Sequence, residues 1–172
     1  MDAYAPDSWH DFFLAAAGAA AALTGLLFVA LSLHMRYIAS ERTYRNMARG
    51  SLIGLVMVLI QGLIALVREP AWWTGAELAV VSALYLVLEG GYELLTFRRA
   101  RWKVARGTLV RSSIGHLLSL VGVVGGLGLV FKAGPGLYAT AFISIVIVVW
   151  NLWNAWVLLM GVADEEIEVE AQ

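Results

Sequence analysis

Between Phe12 and Leu33 the chain runs for about 22 residues without a charge, and a helix rising about 1.5 Å per residue crosses a hydrocarbon layer of roughly 30 Å in about 20 residues. Four more apolar stretches of comparable length follow. Together they set the expected spans at about 12–35, 47–68, 72–97, 112–132 and 136–162. The chain has 172 residues, of which 60% are hydrophobic and 15% charged. A soluble domain of this size cannot bury so much apolar surface. The predicted fold is all-α: a polytopic bundle of five transmembrane helices, with residues 1–163 as one domain and 164–172 as an acidic, mobile cytoplasmic tail.

The start, MDAYAPDSWHDFF, carries acids and no basic n-region, so a cleaved signal peptide is not expected and the first span is retained. Span one places Ala17, Ala21 and Gly25, and also Gly18 and Ala22, at small-xxx-small spacing, which lets helix backbones approach closely. Span two has Gly50 and Gly54 as a similar pair, with Gln61 further along that face. Arg68, Glu69 and Pro70 mark its end. Span four is rich in glycine, with Gly115, Ser119, Gly122 and Gly126 along one side, and suits a bundle interior. A KAGPG turn leads into span five, which carries Trp150, Trp153 and Trp156 on one side and Asn151 and Asn154 on another. Trp150, at mid-membrane, is expected to pack against a subunit or another span.

Orientation follows from counting cations. Of twelve Lys and Arg residues, ten fall in the one-two and three-four connections: Arg36, Arg42, Arg45, Arg49, Arg98, Arg99, Arg101, Lys103, Arg106 and Arg111. Only Arg68 and Lys132 lie on the other side. Positive-inside placement then puts the N-terminus outside and the C-terminus in the cytoplasm. The remaining connections leave no room for a soluble catalytic domain, and the expectation is a protein that is not an enzyme.

Span three differs from the others. On a helical projection Ser82, Tyr85, Glu89, Tyr92, Glu93 and Thr96 share an arc of about 100°, while Leu84, Val87, Leu88 and Leu95 lie outside it. Carboxylates in a span are expensive and must face protein or water. Glu89 is the principal candidate for an ion or proton pathway. His116, Asn151, Asn154 and Tyr85 are expected at a similar depth, together with Ser51, Ser32 and His34. Plainer roles stand beside this one. Glu93 is close enough to Arg98 to snorkel and pair there, the asparagines can act as interhelical glue, and His116 can bond a neighbouring helix. The Arg98, Arg99, Arg101, Lys103 and Arg106 cluster sets topology and is also placed to meet anionic lipid headgroups.

Several chemistries are not supported. There is no cysteine, which removes disulfides, thiolate metal sites and cysteine nucleophiles. VGVVGGLGLV lies within an apolar span and matches neither a dinucleotide fingerprint nor a phosphate loop. HExxH, GxSxG and TVGYG are missing. No metal, cofactor or nucleic-acid partner is expected. A lipid-acting intramembrane enzyme would rest on one carboxylate and one histidine alone.

The opening SWHDFFLAAAGAAAALTGLLFVALSLH resembles the first span of a group of small, mostly uncharacterised bacterial polytopic inner-membrane proteins, some labelled modulators of a membrane-bound AAA protease. The resemblance covers roughly the first fifth of the chain and implies a bacterial inner-membrane setting without a catalytic motif. The function expected from the residues is a homo-oligomeric channel or small transporter for protons or small ions. The alternative is a non-catalytic regulatory or assembly subunit bound to another membrane protein.

Overall fold

The computed structural model describes residues 2–33, 35, 38, 42–100 and 106–170, with side chains for all of these except 42–43, 92–100, 106–112 and 158–170. A 3₁₀ turn, Pro6–Trp9, leads into α1, His10–Leu33. It is followed by α2, Arg42–Leu66, α3, Ala71–Ala100, α4, Arg106–Phe131, and α5, Leu137–Glu170. The described residues contain no strand. Five helical stretches are long and apolar enough to cross a membrane: Pro6–Leu33, Tyr44–Leu66, Ala71–Gly91, Ser113–Phe131 and Leu137–Val157. The fold is that of an all-α, multi-pass membrane protein. Large apolar side chains face outward on all five, as lipid contact requires; Leu26 is 68% exposed and Val87 69%.

Two helices run past the ends of their expected spans. The α3 backbone stays helical to Ala100, and α5 stays helical to Glu170, through most of the segment expected to be a mobile tail. Charges mark where a helix leaves lipid, whereas helix termination needs a breaker. After Gly161 the sequence VADEEIEVE offers none.

Contacts divide the chain into two compact units, one formed by Met1–Asp11 and Ile64–Ile143, the other by Phe12–Leu63 and Ser144–Gln172. In the first, α3 and α4 pack antiparallel through small residues. A methyl group added to Gly126 would lie 2.6 Å from the Ala79 backbone nitrogen and 2.7 Å from the Gly75 carbonyl oxygen. No real side chain fits such a gap, so glycine is what permits the approach. The face of span four noted in the sequence is therefore turned to α3.

Helix α4 ends in a Schellman arrangement: Lys132 takes φ 51° and the Ala133 N–H donates to the Gly128 carbonyl at 2.9 Å. The turn that follows is fastened to the N-terminal segment. The Leu137 N–H, an orphan donor at the start of α5, donates to the Ala3 carbonyl at 3.0 Å. The Tyr4 hydroxyl donates to the Gly134 carbonyl at 2.7 Å. Trp9, buried, donates from Nε1 to the Asp2 carbonyl at 2.7 Å and meets Tyr138 edge-on with ring centroids 4.7 Å apart.

In the second unit α1 packs on α2 where Ala17 meets Gly62; a methyl on Gly62 would come within 3.0 Å of the Ala17 Cβ. Fully buried Phe13, Leu55 and Val58 belong to the same unit. Ile38 and Ala48 form a smaller cluster with Leu31, Tyr44 and Met47. Of the other small residues on α1, Gly18, Ala21, Ala22 and Gly25 are exposed.

Candidate functional site

The polar stripe of α3 meets α4 in the first unit. Its buried part is a packing device. The Ser82 hydroxyl donates to the Leu78 carbonyl at 2.8 Å, and the Ser119 hydroxyl crosses from α4 to donate to the Ser82 carbonyl at 2.5 Å. Gly122 clears the space, since a methyl there would lie 2.6 Å from Ser82 Oγ. Each hydroxyl is used, and no polar atom of this pair is stranded in the apolar interior.

Toward the basic-loop ends of the same two helices the stripe becomes half-buried. Tyr85, Glu89, Gly90, Gly115 and His116 are all neither closed off nor fully exposed. A methyl on Gly90 would lie 3.3 Å from His116 Nε2, and one on Gly115 would lie 3.5 Å from the Tyr85 hydroxyl oxygen. Two glycines thus bring an imidazole and a phenol against the facing backbone, and Glu89 is the residue before Gly90. Tyr85 and Glu89 are four residues apart and stack on one face of α3. A carboxylate, an imidazole and a phenol thus lie within about one turn of one another along the α3–α4 contact. About 18 residues of helix separate Glu89 from the start of α3 at Ala71, a rise of roughly 27 Å. The set therefore lies near the mouth of the spans and away from their centre.

Asn151 and Asn154 belong to the second unit, where they are 4% and 3% exposed. Asn151 lies against α2 at Gly54, where an added methyl would meet its Nδ2 at 2.9 Å. That nitrogen donates to the Ile147 carbonyl of its own helix at 2.8 Å. Asn151 Oδ1, Asn154 Nδ2 and Ser51 Oγ are buried and make no hydrogen bond among the described residues. Successive spans alternate in direction, so α2 and α5 are antiparallel. One turn from Gly54 toward the start of α2 reaches Ser51, and one turn from Asn151 toward the end of α5 reaches Asn154, on the same side of the contact. An acceptor, a donor and a hydroxyl thus lie within about one turn of one another along the α2–α5 contact.

The other expected residues fare differently. Ser32 donates to the Phe28 carbonyl of its own helix at 2.8 Å. Trp150 is half-buried while Trp153 and Trp156 are exposed. The side chains of Glu93, Arg98, Arg99 and Arg106, and all of His34, Arg101 and Lys103, lie outside the described residues. Reading the sequence passed over Gly54, Gly90 and Gly115 as openings for polar side chains. Their spacing signals close packing without naming the partner. No known protein family, curated protein or solved structure matches this chain.

Proposed function

We propose that this protein is a homo-oligomeric channel or small transporter for protons or small ions in a bacterial inner membrane, with its N-terminus outside and its C-terminus cytoplasmic. The observation that supports this reading is the half-buried level at which Glu89, His116 and Tyr85 gather around Gly90 and Gly115. A carboxylate at the centre of a span costs about 2.5–3.5 kcal/mol, and nearer the mouth, where Glu89 lies, it still needs polar company or water. Ser82 and Ser119 pair their hydroxyls deeper in the same helix contact, and Glu89 lies beyond them toward the basic-loop end of α3. In this reading Glu89 holds the proton or cation, His116 exchanges protons with it across the helix contact, and Tyr85 orients one turn deeper. Asn151, Asn154 and Ser51 hold water in the second unit.

Liposomes containing the purified protein should pass protons or small cations down a gradient. Glu89→Gln is expected to cut that flux about a hundredfold or more, the loss typical of removing a positioned acid-base group. Folded protein with no flux under any gradient, or full flux in Glu89→Gln, would overturn the proposal.

A second reading, a regulatory or assembly subunit, is favoured by one feature. Gly18 and Gly25 on α1 are exposed, and a methyl on either would meet nothing within 4 Å. In that case Gly18→Leu with Gly25→Leu should abolish copurification of a partner membrane protein, and Glu89→Gln should be silent.

A further inference from the structure

On the N-terminal face of the first unit, away from the Glu89 level and independent of the pathway proposal, lies a pocket of about 470 Å³ lined by Asp7, His10, Arg68, Glu69 and Pro70. Its volume falls within the range of roughly 300–1,000 Å³ usual for small-molecule sites. One wall is the 3₁₀ turn and the start of α1; the other is the connection between α2 and α3. Both walls are fixed. The first is fastened to the α4–α5 turn through Tyr4, Trp9 and the Leu137 N–H. The second is held by the Pro70 carbonyl, which accepts from the N–H groups of Trp73 at 2.8 Å and Thr74 at 3.2 Å.

The lining is charged in both senses, yet its charges are not spent on one another. Asp7, His10, Arg68 and Glu69 make no side-chain hydrogen bond or ion pair with any described residue. Asp7, His10 and Arg68 are exposed, so water serves them. Glu69 is different: its Oε2 is shut off from solvent and accepts no hydrogen bond. A carboxylate with one dry, unpartnered oxygen is stabilised most by a cation on the other. The described residues include no cluster of three or more His, Asp or Glu able to hold a metal, and Arg68 would repel a bare cation. A ligand that suits the whole lining carries both signs. Depth narrows the class further, because Trp72 and Trp73, next along the chain, are exposed and pack edge-to-face, the habit of aromatics at headgroup level.

We propose that this pocket binds a zwitterion pairing a primary ammonium with a phosphate, the headgroup of an aminophospholipid, with Glu69 and Asp7 on the ammonium and Arg68 and His10 on the phosphate. N–H donors matter here, since a quaternary ammonium cannot hydrogen-bond the carboxylates.

The test uses the full chain, delipidated in detergent, with bound lipid counted by native mass spectrometry and thermal stability followed in parallel. Phosphatidylethanolamine should be retained about tenfold more tightly than phosphatidylcholine or phosphatidylglycerol, a difference of about 1.4 kcal/mol, and should raise Tm. Glu69→Gln and Arg68→Gln should each abolish the preference. Asp7→Asn and His10→Gln, at exposed positions, should weaken it without unfolding the protein, and they decide the matter if Glu69→Gln fails to fold. Competition by free phosphoethanolamine at equal concentration would assign the same chemistry to a soluble source. Equal retention of the three lipids, or a preference that survives all four substitutions, would overturn the proposal.

Discussion

The two glycine-mediated helix contacts treat polar side chains in opposite ways. Where α3 meets α4, Ser82 and Ser119 spend their hydroxyls on carbonyls, and Gly126 brings backbones together so closely that a methyl would strike main-chain atoms. Where α2 meets α5, Gly54 makes room for the end of the Asn151 side chain, and three buried polar atoms nearby go unpartnered. A buried polar atom left without a hydrogen bond costs about 1–3 kcal/mol, so the second contact carries a cost that the Ser82–Ser119 pair avoids, although Thr74 Oγ1 near the start of α3 is also buried and unpartnered. One contact is therefore a structural seam. The other leaves polar atoms buried without hydrogen bonds.

This contrast can be broken at several points. Gly126→Leu should have the largest effect, because the obstruction is backbone and cannot rotate away. The loss expected is about 3 kcal/mol of stability or failure to fold, read from thermal or denaturant unfolding in detergent. A mild effect would mean that the seam is loose. Ser119→Ala removes one satisfied hydrogen bond and should cost about 1 kcal/mol by the same assay. Asn154→Leu should change stability least, by about 0.5 kcal/mol or less in either direction. It deletes an atom that bonds to nothing in the protein and keeps the number of side-chain heavy atoms. A loss of about 2 kcal/mol or more there would show that Asn154 is glue after all, and the distinction between the contacts would fall.

The five spans were legible because an uncharged run of some 20 residues has few other uses in a chain this short. The glycine face of α4 was legible too, since Gly115, Ser119, Gly122 and Gly126 recur at helical spacing, but spacing does not say which helix they meet. Counting residues along alternating helices placed Glu89 and His116 at one depth, and the structure brings their helices together there through Gly90. What the sequence hid was every feature that depends on pairing across the chain. Ser51 read as one of several polar groups at the inner level, with no sign that its hydroxyl would be buried and unpartnered. Arg68, Glu69 and Pro70 read as a stop signal, and Asp7 and His10 as part of an opening without a basic n-region; that they share one pocket follows only from the fastening of the N-terminal segment.

That fastening also has a timetable. The Tyr4 hydroxyl and the Gly134 carbonyl it bonds are 130 positions apart in sequence. At about 5–20 residues per second, roughly ten seconds of translation separate their appearance. Throughout that interval the first helix has lipid but not its anchor. Tyr4 waits for a partner made much later, and the Asp7–Glu69 pocket exists only once the two have met.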